Sequence, residues 1–596
     1  MQTYQAPLRD MRFNLYELHG LDALTALPAF ADLNADTIDS VLEEAAKIAT
    51  EVLLPLNASG DIEGCVAENG VVRTPRGFRE AYATFRDGGW ASVAGDPDYG
   101  GQGLPESVNT LVQEMMCAGN LSFSLYPGLT YGAVKALAAH GSPELRDLYL
   151  PKMIEGIWSG TMCLTESHCG TDLGLLRTRA VPEEDGSYRL NGAKIFISAG
   201  EHDLTENIVH LVLARLPDAP AGIKGISLFL VPKFLPREDG TPGERNGVAC
   251  TGIEHKMGLK ASATCQIAFD DAKGWLVGAP HKGMQGMFTM MNEERLGVGI
   301  QGLGIASVAY QSAAAYAKDR LQGRSLAGAR RPDLAADPII VHPDVRRMLM
   351  TMRTSAEGCR AVGLWVSQAV DLSRHAETEA ARTAAADFVA LMTPVVKALF
   401  TDLGFEAASL GIQVYGGHGY IREHGVEQFA RDARIAMLYE GTNGIQALDL
   451  VGRKMPAHMG RSLRYFFHPV SEFIEANRKD PGVGGMVEHL ERAFGALQLA
   501  TGQIAQSGLK DPEEAGAAAT DYLRLLGLVA MGYMFVRSAK VAHAKVSDAG
   551  PDAGFYKAKL GSAQFFIDRI LPQATALFLA IKSGKQSTMA LEDAAF

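Results

Sequence analysis

Cysteine is scarce in this sequence and shows no pattern. The seven residues Cys65, Cys117, Cys163, Cys169, Cys250, Cys265 and Cys359 include no CxxC pair and no metal-ligand spacing, which excludes a zinc-ribbon or dithiol-redox reading. An odd number without a framework fits a reducing, cytoplasmic setting. Excess positive charge is also lacking. The 56 Lys and Arg against 68 Asp and Glu leave a net charge of −12, which argues against general affinity for nucleic acid or anionic membranes. The start, MQTYQAPLRDMRF, carries charge early and has no signal-peptide run. The longest suspicious apolar stretch, Leu523 to Val536, contains Arg524 and two glycines. It is shorter than the ~20 residues of a membrane span, so it reads as a buried helix. No GxGxxG follows a strand with a downstream acid, so a Rossmann nucleotide site is unsupported. Short repeats and low-complexity tracts are absent too.

What is present is a balanced globular composition, 47% apolar and 21% charged, spread over 596 residues, too many for one core. The hydrophobic period changes along the chain. From about Asp36 to Gly160 it is helical, with Ile38, Val41, Leu42, Ala45 and Ile48 behind Asp36 as the expected N-cap. YGGQGLPES interrupts it, and a helix restarts over Ser107 to Cys117. From about Thr161 to Gly278 short strands are expected: Tyr188–Leu190, Lys194–Ser198, Ile208–Ala214, Ile226–Val231 and Thr264–Phe269. Asn191-Gly192 reads as a hairpin turn between the first two. Helical periodicity returns from about Met284 to Arg453. After a break near 456–469 it continues to the end, with Met486, Leu490, Phe494 and Leu497 on one face. The expected division is an N-terminal extension (1–34), a helical domain (35–160), a central β domain (161–280), a helical bundle (281–455) and a C-terminal helical extension (456–596).

Four segments carry possible chemistry. RDARIAMLYEGTNGIQ, Arg431 to Gln446, ends a basic helical stretch in Tyr-Glu-Gly-Thr, where Gly441 lets the backbone turn behind Glu440. QVYGGHGY, Gln413 to Tyr420, has glycines that permit close backbone approach to a phosphate or another chain. MCLTESHCGTD, Met162 to Asp172, clusters hydroxyls and backbone N–H groups suited to a heteroaromatic ring or phosphate. In NGAKIFISAG, Asn191 to Gly200, Phe196 and Ser198 share one strand face and Ile197 takes the other. Each alone has a plain structural reading: a solvated carboxylate, a turn, a polar loop, an amphipathic strand.

In this order and spacing the four resemble the acyl-CoA dehydrogenase family over roughly residues 35–455. KMGLKASATCQIAFDD, Lys256 to Asp271, and NEERLGVG, Asn292 to Gly299, fall where that family has comparable segments. The resemblance implies a mainly α fold with a central β-barrel-like domain, a helical bundle and an extra C-terminal helical domain. It implies FAD as cofactor, with Met162, Leu164 and Thr165 along the flavin ring, Phe196 over one face and Ser198 near the reactive nitrogen. Arg320, Gln413, Gly416 and Gly417 would reach the dinucleotide of a neighbouring subunit, and Thr442 and Gly444 would complete that site. Thr171, Asn292, Arg295 and Gly441 would contact the acyl-CoA. Phe196 and Ser198 stand where the family more often has Trp and Thr. Leu321 to Arg324 replace its usual Phe-Gly, and an insertion follows.

The resemblance also supplies a reaction, α,β-dehydrogenation of an acyl-CoA thioester to a trans-2-enoyl-CoA. Glu440 would be the base and an electron-transferring flavoprotein the electron acceptor. A free carboxylate with a pKa of about 4.3 is a weak base for such a proton. Donors on the thioester oxygen, among them the N–H of Glu440, stabilise the enolate, and desolvation strengthens a carboxylate base. Some family branches place the base where Glu294 stands, so Glu294 is the named rival. The start YQAPLRDMRFNLYEL and the helices after residue 460 are similar to the long bacterial branch containing 3-(methylthio)propanoyl-CoA dehydrogenases. A substrate of that kind, or a related short or medium acyl-CoA, is expected, with a medium- or long-chain fatty acyl-CoA as the alternative. Asn120 to Gly132 is the expected floor of the acyl tunnel, with Leu125, Tyr126 and Pro127 limiting its depth. A homodimer is expected, because the extra helices would cover a face that shorter members use to form tetramers. An acyl-CoA oxidase and a non-enzymatic DNA-binding relative are the rival functions.

Overall fold

The structure, a computed structural model, describes residues 2–596. Its principal elements begin with helices α1 (Leu8–Arg12), α2 (Ala35–Lys47), α3 (Glu106–Gly119) and α4 (Leu121–His140). Strands β1 (Trp158–Cys163), β2 (Arg179–Pro182), β3 (Tyr188–Ser198) and β4 (Asn207–Arg215) follow, then β5 (Ile226–Pro232), β6 (Val248–Ile253) and β7 (Thr264–Val277). Helices return as α5 (Gly283–Asp319), α6 (Pro343–His375), α7 (Glu379–Tyr415), α8 (Glu427–Ala433) and α9 (Asn443–Asp449). The last are α10 (Arg461–Asn477), α11 (Gly484–Gly508), α12 (Pro512–Lys545) and α13 (Ala553–Phe565). The chain divides into two compact units. One holds Lys47–Leu104 and Met115–Gly297; the other holds the chain up to Ala46, Pro105–Glu114 and Val298–Phe596.

In the first unit the sheet closes on itself. β7 pairs with β3, β3 with β2, β2 with β4 through one residue pair, β4 with β5, and β5 with β7. Closure removes open edges from that circuit, while β1 and β6 pair on its flanks. β4 is buried from Asn207 through Ala214, and its near-continuous apolar run is what a strand covered on both faces requires. The expected turn at Asn191-Gly192 does not form, because both residues lie inside the single strand β3. The Asn191 side chain instead exchanges hydrogen bonds with Asp271 of β7, at 3.0 and 3.2 Å. A Cβ on Gly192 would lie 2.5 Å from the Thr178 hydroxyl. The dipeptide marks a close approach of neighbouring chain, not a reversal. Asp36 likewise sits within the first turn of α2. The cap is Asn34, whose side-chain oxygen accepts from the Thr37 N–H at 3.0 Å.

The second unit is helical and packs around α6, α7 and α12. Two helical stretches, Glu379–Tyr420 and Pro512–Lys545, are long and apolar enough to cross a membrane, yet 78% and 83% of their most apolar windows are buried inside the protein. The expected buried helix at Leu523 to Val536 lies within the second. Chain ends far apart in sequence meet in this unit. Arg360 of α6, itself buried, donates to Glu114 of α3 at 2.9 Å and to Asp10 of α1 at 2.5 Å. Lys559 of α13 donates to Asp10 at 2.7 Å and to Glu357 of α6 at 3.0 Å.

Candidate active site

In the sheet-containing unit the site is built on a bulge. Opposite Gln266 of β7, β3 carries two residues, Ile195 and Phe196, where one would pair. Phe196 takes a left-handed φ of 59°, which costs a non-glycine residue about 1–2 kcal/mol. The bulge turns its ring outward, so that Phe196 is 59% exposed while Ile197 is buried and Ser198 half-buried. The bulge also frees the Ile195 N–H, which donates to the Thr165 carbonyl at 2.9 Å and docks the Met162–Asp172 segment beside the ring. Met162 and Thr165 are half-buried there, Leu164 is buried and Thr171 is exposed. An outward aromatic ring, a hydroxyl and a fixed loop with a further hydroxyl suit a planar heteroaromatic group.

A buried ion pair holds that loop. Lys194 of β3 donates to the Leu164 carbonyl and to Glu166, both at 2.9 Å. Glu166 also accepts from the N–H groups of Arg177 and Thr178 and from the Thr178 hydroxyl. Burial opposes ionisation of Glu166, but Lys194 and these donors win and hold its pKa at about 2, against an ordinary 4.5. The pairing therefore stabilises the fold at pH above 4.5, and its contribution is lost as pH falls from there through about 2. Lys194→Met leaves Glu166 its three other donors. The expected cost is about 2–3 kcal/mol, read as a lower melting temperature.

The same unit holds Asn292, Glu294 and Arg295 on α5. Arg295 is buried and donates to the side-chain oxygen of exposed Asn292 at 3.3 Å. Glu294 is buried too. Its carboxylate lies in the notch left by Gly132 of α4, where a Cβ would come within 2.4 Å of it. Tyr126 of α4 is fully buried, and its hydroxyl is fixed by the Ala261 carbonyl at 3.1 Å and the Ala263 N–H at 3.0 Å.

In the helical unit Glu440 occupies a break between helical segments. A 3-10 turn ends at Met437 and α9 begins at Asn443. The turn is sharper than the glycine alone provides, since Glu440 (φ 57°) and Gly441 (φ 81°) are both left-handed. A strained, half-buried carboxylate of this kind is held by its surroundings. The Tyr439 hydroxyl donates to Gln301 of α5. The Thr442 side chain caps α9 by accepting from the Ile445 N–H at 3.4 Å. The Asn443 side chain accepts from buried Lys397 of α7 at 2.8 Å and donates to Asp402 at 2.7 Å. Gly444 is exposed, with open space where a Cβ would project.

Arg320, Gln413, Gly416 and Gly417 gather at another end of this unit. Tyr316 near the end of α5 stacks on Tyr415 of α7, with ring centroids 4.0 Å apart, and the Tyr316 hydroxyl meets His418 Nδ1 at 2.9 Å. That packing brings the two helix ends together. All four residues are exposed, and a Cβ on either glycine would meet nothing within 4 Å. A guanidinium, an amide and two bare backbone positions suit a dinucleotide's phosphates. The insertion after Arg320 is ordered by buried Asp337, which accepts from the N–H groups of Ser325, Arg330 and Arg331.

Sequence reasoning missed the Lys194–Glu166 pair and the Asp337 hub. A lysine at an inward strand position was the available signal for the first; the second had none.

Four family models match the chain. They are "Acyl-CoA dehydrogenase, N-terminal domain" over residues 36–157, "middle domain" over 161–272, "C-terminal domain" over 281–455, and "Acetyl-CoA dehydrogenase C-terminal like" over 466–592. The chain is 43% identical to 3-methylmercaptopropionyl-CoA dehydrogenase of Ruegeria pomeroyi, over 96% of this chain and 97% of that protein. It is 35% identical to the broad-specificity linear acyl-CoA dehydrogenase FadE5 of Mycobacterium tuberculosis, over the whole of both chains. In fold it is similar to an acyl-CoA dehydrogenase from Bacillus anthracis complexed with FAD, with a TM-score of 0.73 and 20% identity over 94% of this chain and 90% of that one.

Proposed function

Because the chain belongs to the acyl-CoA dehydrogenase family and is an FAD-dependent oxidoreductase acting on acyl-CoA, we propose that Glu440 is the base that removes the α-proton of its thioester substrate. The observation that carries this reading is the backbone. A carboxylate strained into the left-handed region and anchored on both sides is presented at a break, not left on a helix face. Glu294, buried in the Gly132 notch on another element, is the weaker candidate.

The chemistry follows from the residues. As the α-proton passes to the Glu440 carboxylate, negative charge grows on the thioester oxygen. The Glu440 N–H serves as a donor to that oxygen, so one residue supplies both base and oxyanion contact. Bound FAD would supply the acceptor for the hydride leaving the β-carbon, so that the product would be a trans-2-enoyl-CoA. Phe196, Ser198, Met162, Leu164 and Thr165 would hold its ring; Thr442 and Gly444 would complete the site. Arg320, Gln413, Gly416 and Gly417 would hold the dinucleotide half of a second copy's cofactor, so the working form is a homodimer. Thr171, Asn292, Arg295 and Gly441 would contact the acyl-CoA. The division at residues 34, 160, 280 and 455, a cytoplasmic location, and an electron-transferring flavoprotein as acceptor belong to the same reading.

The proposed substrate is 3-(methylthio)propanoyl-CoA or a similarly short acyl-CoA. The support for it is the 43% identity to the Ruegeria enzyme. A panel of straight-chain and methylthio thioesters assayed with a dye acceptor tests this. The highest kcat/KM is expected for the methylthio or four-carbon thioester. A preference for chains of twelve carbons or longer would place the enzyme with the fatty acyl-CoA alternative.

A further inference from the structure

Gln446 of α9 is fully buried one turn beyond Glu440, and its side chain turns back toward the break. Its Nε2 donates to the Glu440 carbonyl at 3.0 Å and reaches the Gly441 carbonyl at 3.5 Å. Both neighbours are carbonyl oxygens, which only accept, so the amide nitrogen must face them. The cost is visible on the other side of the group, where the Gln446 Oε1 is buried without a hydrogen-bond partner. A polar side chain that leaves its acceptor unsatisfied in the interior is retained for its donor.

From this we infer that Gln446 is a positioning residue for the base. The inference rests on the assignment of Glu440 as the base. The two carbonyls are those of the left-handed pair Glu440 and Gly441 themselves. Fixing the Glu440 carbonyl fixes the plane of the 440–441 peptide and so limits rotation about the bond that follows the Glu440 Cα. Tyr439, tied to Gln301, limits the chain on the preceding side. The direction of the Glu440 carboxylate and the direction of its N–H are then set together. The donor itself is carried on a fixed element, because Asn443 is held by Lys397 and Asp402 of α7. Without the Gln446 donor the break can relax toward an ordinary backbone, which swings the carboxylate and the N–H away from their shared target.

The test uses the FAD-loaded enzyme and Gln446→Met, which keeps the side chain's length and removes both donors. A kcat loss of roughly 10- to 100-fold is expected, the scale of a misplacement near 1 Å, with KM, flavin content and melting temperature close to wild type. Exchange of the substrate's α-hydrogens in D2O, followed by mass spectrometry without an electron acceptor, should slow by the same factor. Gln446→Leu, apolar and likewise without a donor, should show the same split. Wild-type α-exchange in either folded variant overturns the inference, and so does a proportional fall of KM-independent rate, flavin content and stability, or failure of both variants to fold. Glu440→Gln in the same series separates the two levels. If it exchanges normally the base assignment is wrong; if it is silent while Gln446→Met is normal, only the role of Gln446 fails.

Discussion

Glu440→Gln is expected to bind FAD and remain yellow while losing about 10²- to 10⁴-fold in kcat, the range that a general base contributes. The substitution preserves side-chain length and shape and removes only the capacity to take a proton. The left-handed backbone at residue 440 should survive it. Its anchors, the Gln446 amide on the carbonyl and the Tyr439–Gln301 contact, do not involve the carboxylate. A large kcat effect with intact flavin binding therefore reports chemistry and not collapse of the break. Glu294→Gln is the control. It sits in the Gly132 notch and should lose far less. The reverse pattern, an inactive Glu294→Gln beside an active Glu440→Gln, would transfer the role to Glu294.

Arg360→Met is expected to produce the largest loss of stability, about 3–5 kcal/mol, because it strands buried carboxylates without their partner. Glu114 and Asp10 both receive Arg360 at hydrogen-bonding distance, and only Asp10 retains a second cation, Lys559. Burial opposes ionisation of Asp10, yet Lys559 and Arg360 hold its pKa at about 2, below the ordinary 3.8. In the wild type this stabilisation is complete above pH 4 and fades as pH falls through about 2. The variant keeps only the Lys559 share of it, so the difference in melting temperature between the two proteins should narrow on acidification. The cluster also ties the N-terminal extension to the C-terminal one through α6. Limited proteolysis of the variant should accordingly release the first ~30 residues before the rest of the chain, as expected of a terminus no longer tied down.

Periodicity located the helices and strands well because burial is periodic. The apolar run Ile208 to Ala214 became the fully buried β4, and Leu523 to Val536 became the core of α12. Local chemistry misled where a residue pair serves two purposes. Asn191-Gly192 looks like a turn, but it lies where β3 meets Thr178 and Asp271, and no local pattern carries that information. The four motifs pointed to the residues of the proposed site but not to their strain. Gly441 was the residue expected to turn the chain, whereas Glu440 itself turns with it, and Phe196 is left-handed on a bulge. The Phe196 conformation is tied to Thr165 and β7, outside its own motif, and the Glu440 break is held both by Gln301 from outside and by Gln446 from within. The Asp10–Lys559 pair spans 549 positions. Its members read locally as ordinary surface charges, and only the fold brings them together.

The most direct test of Glu440 as the base is anaerobic mixing of the FAD-loaded enzyme with an acyl-CoA carrying deuterium at the α-carbon, followed by flavin absorbance. Rapid bleaching in the wild type, slowed severalfold by the deuterium, and none on the same timescale in Glu440→Gln is the predicted result. Bleaching of Glu440→Gln at the wild-type rate would contradict it.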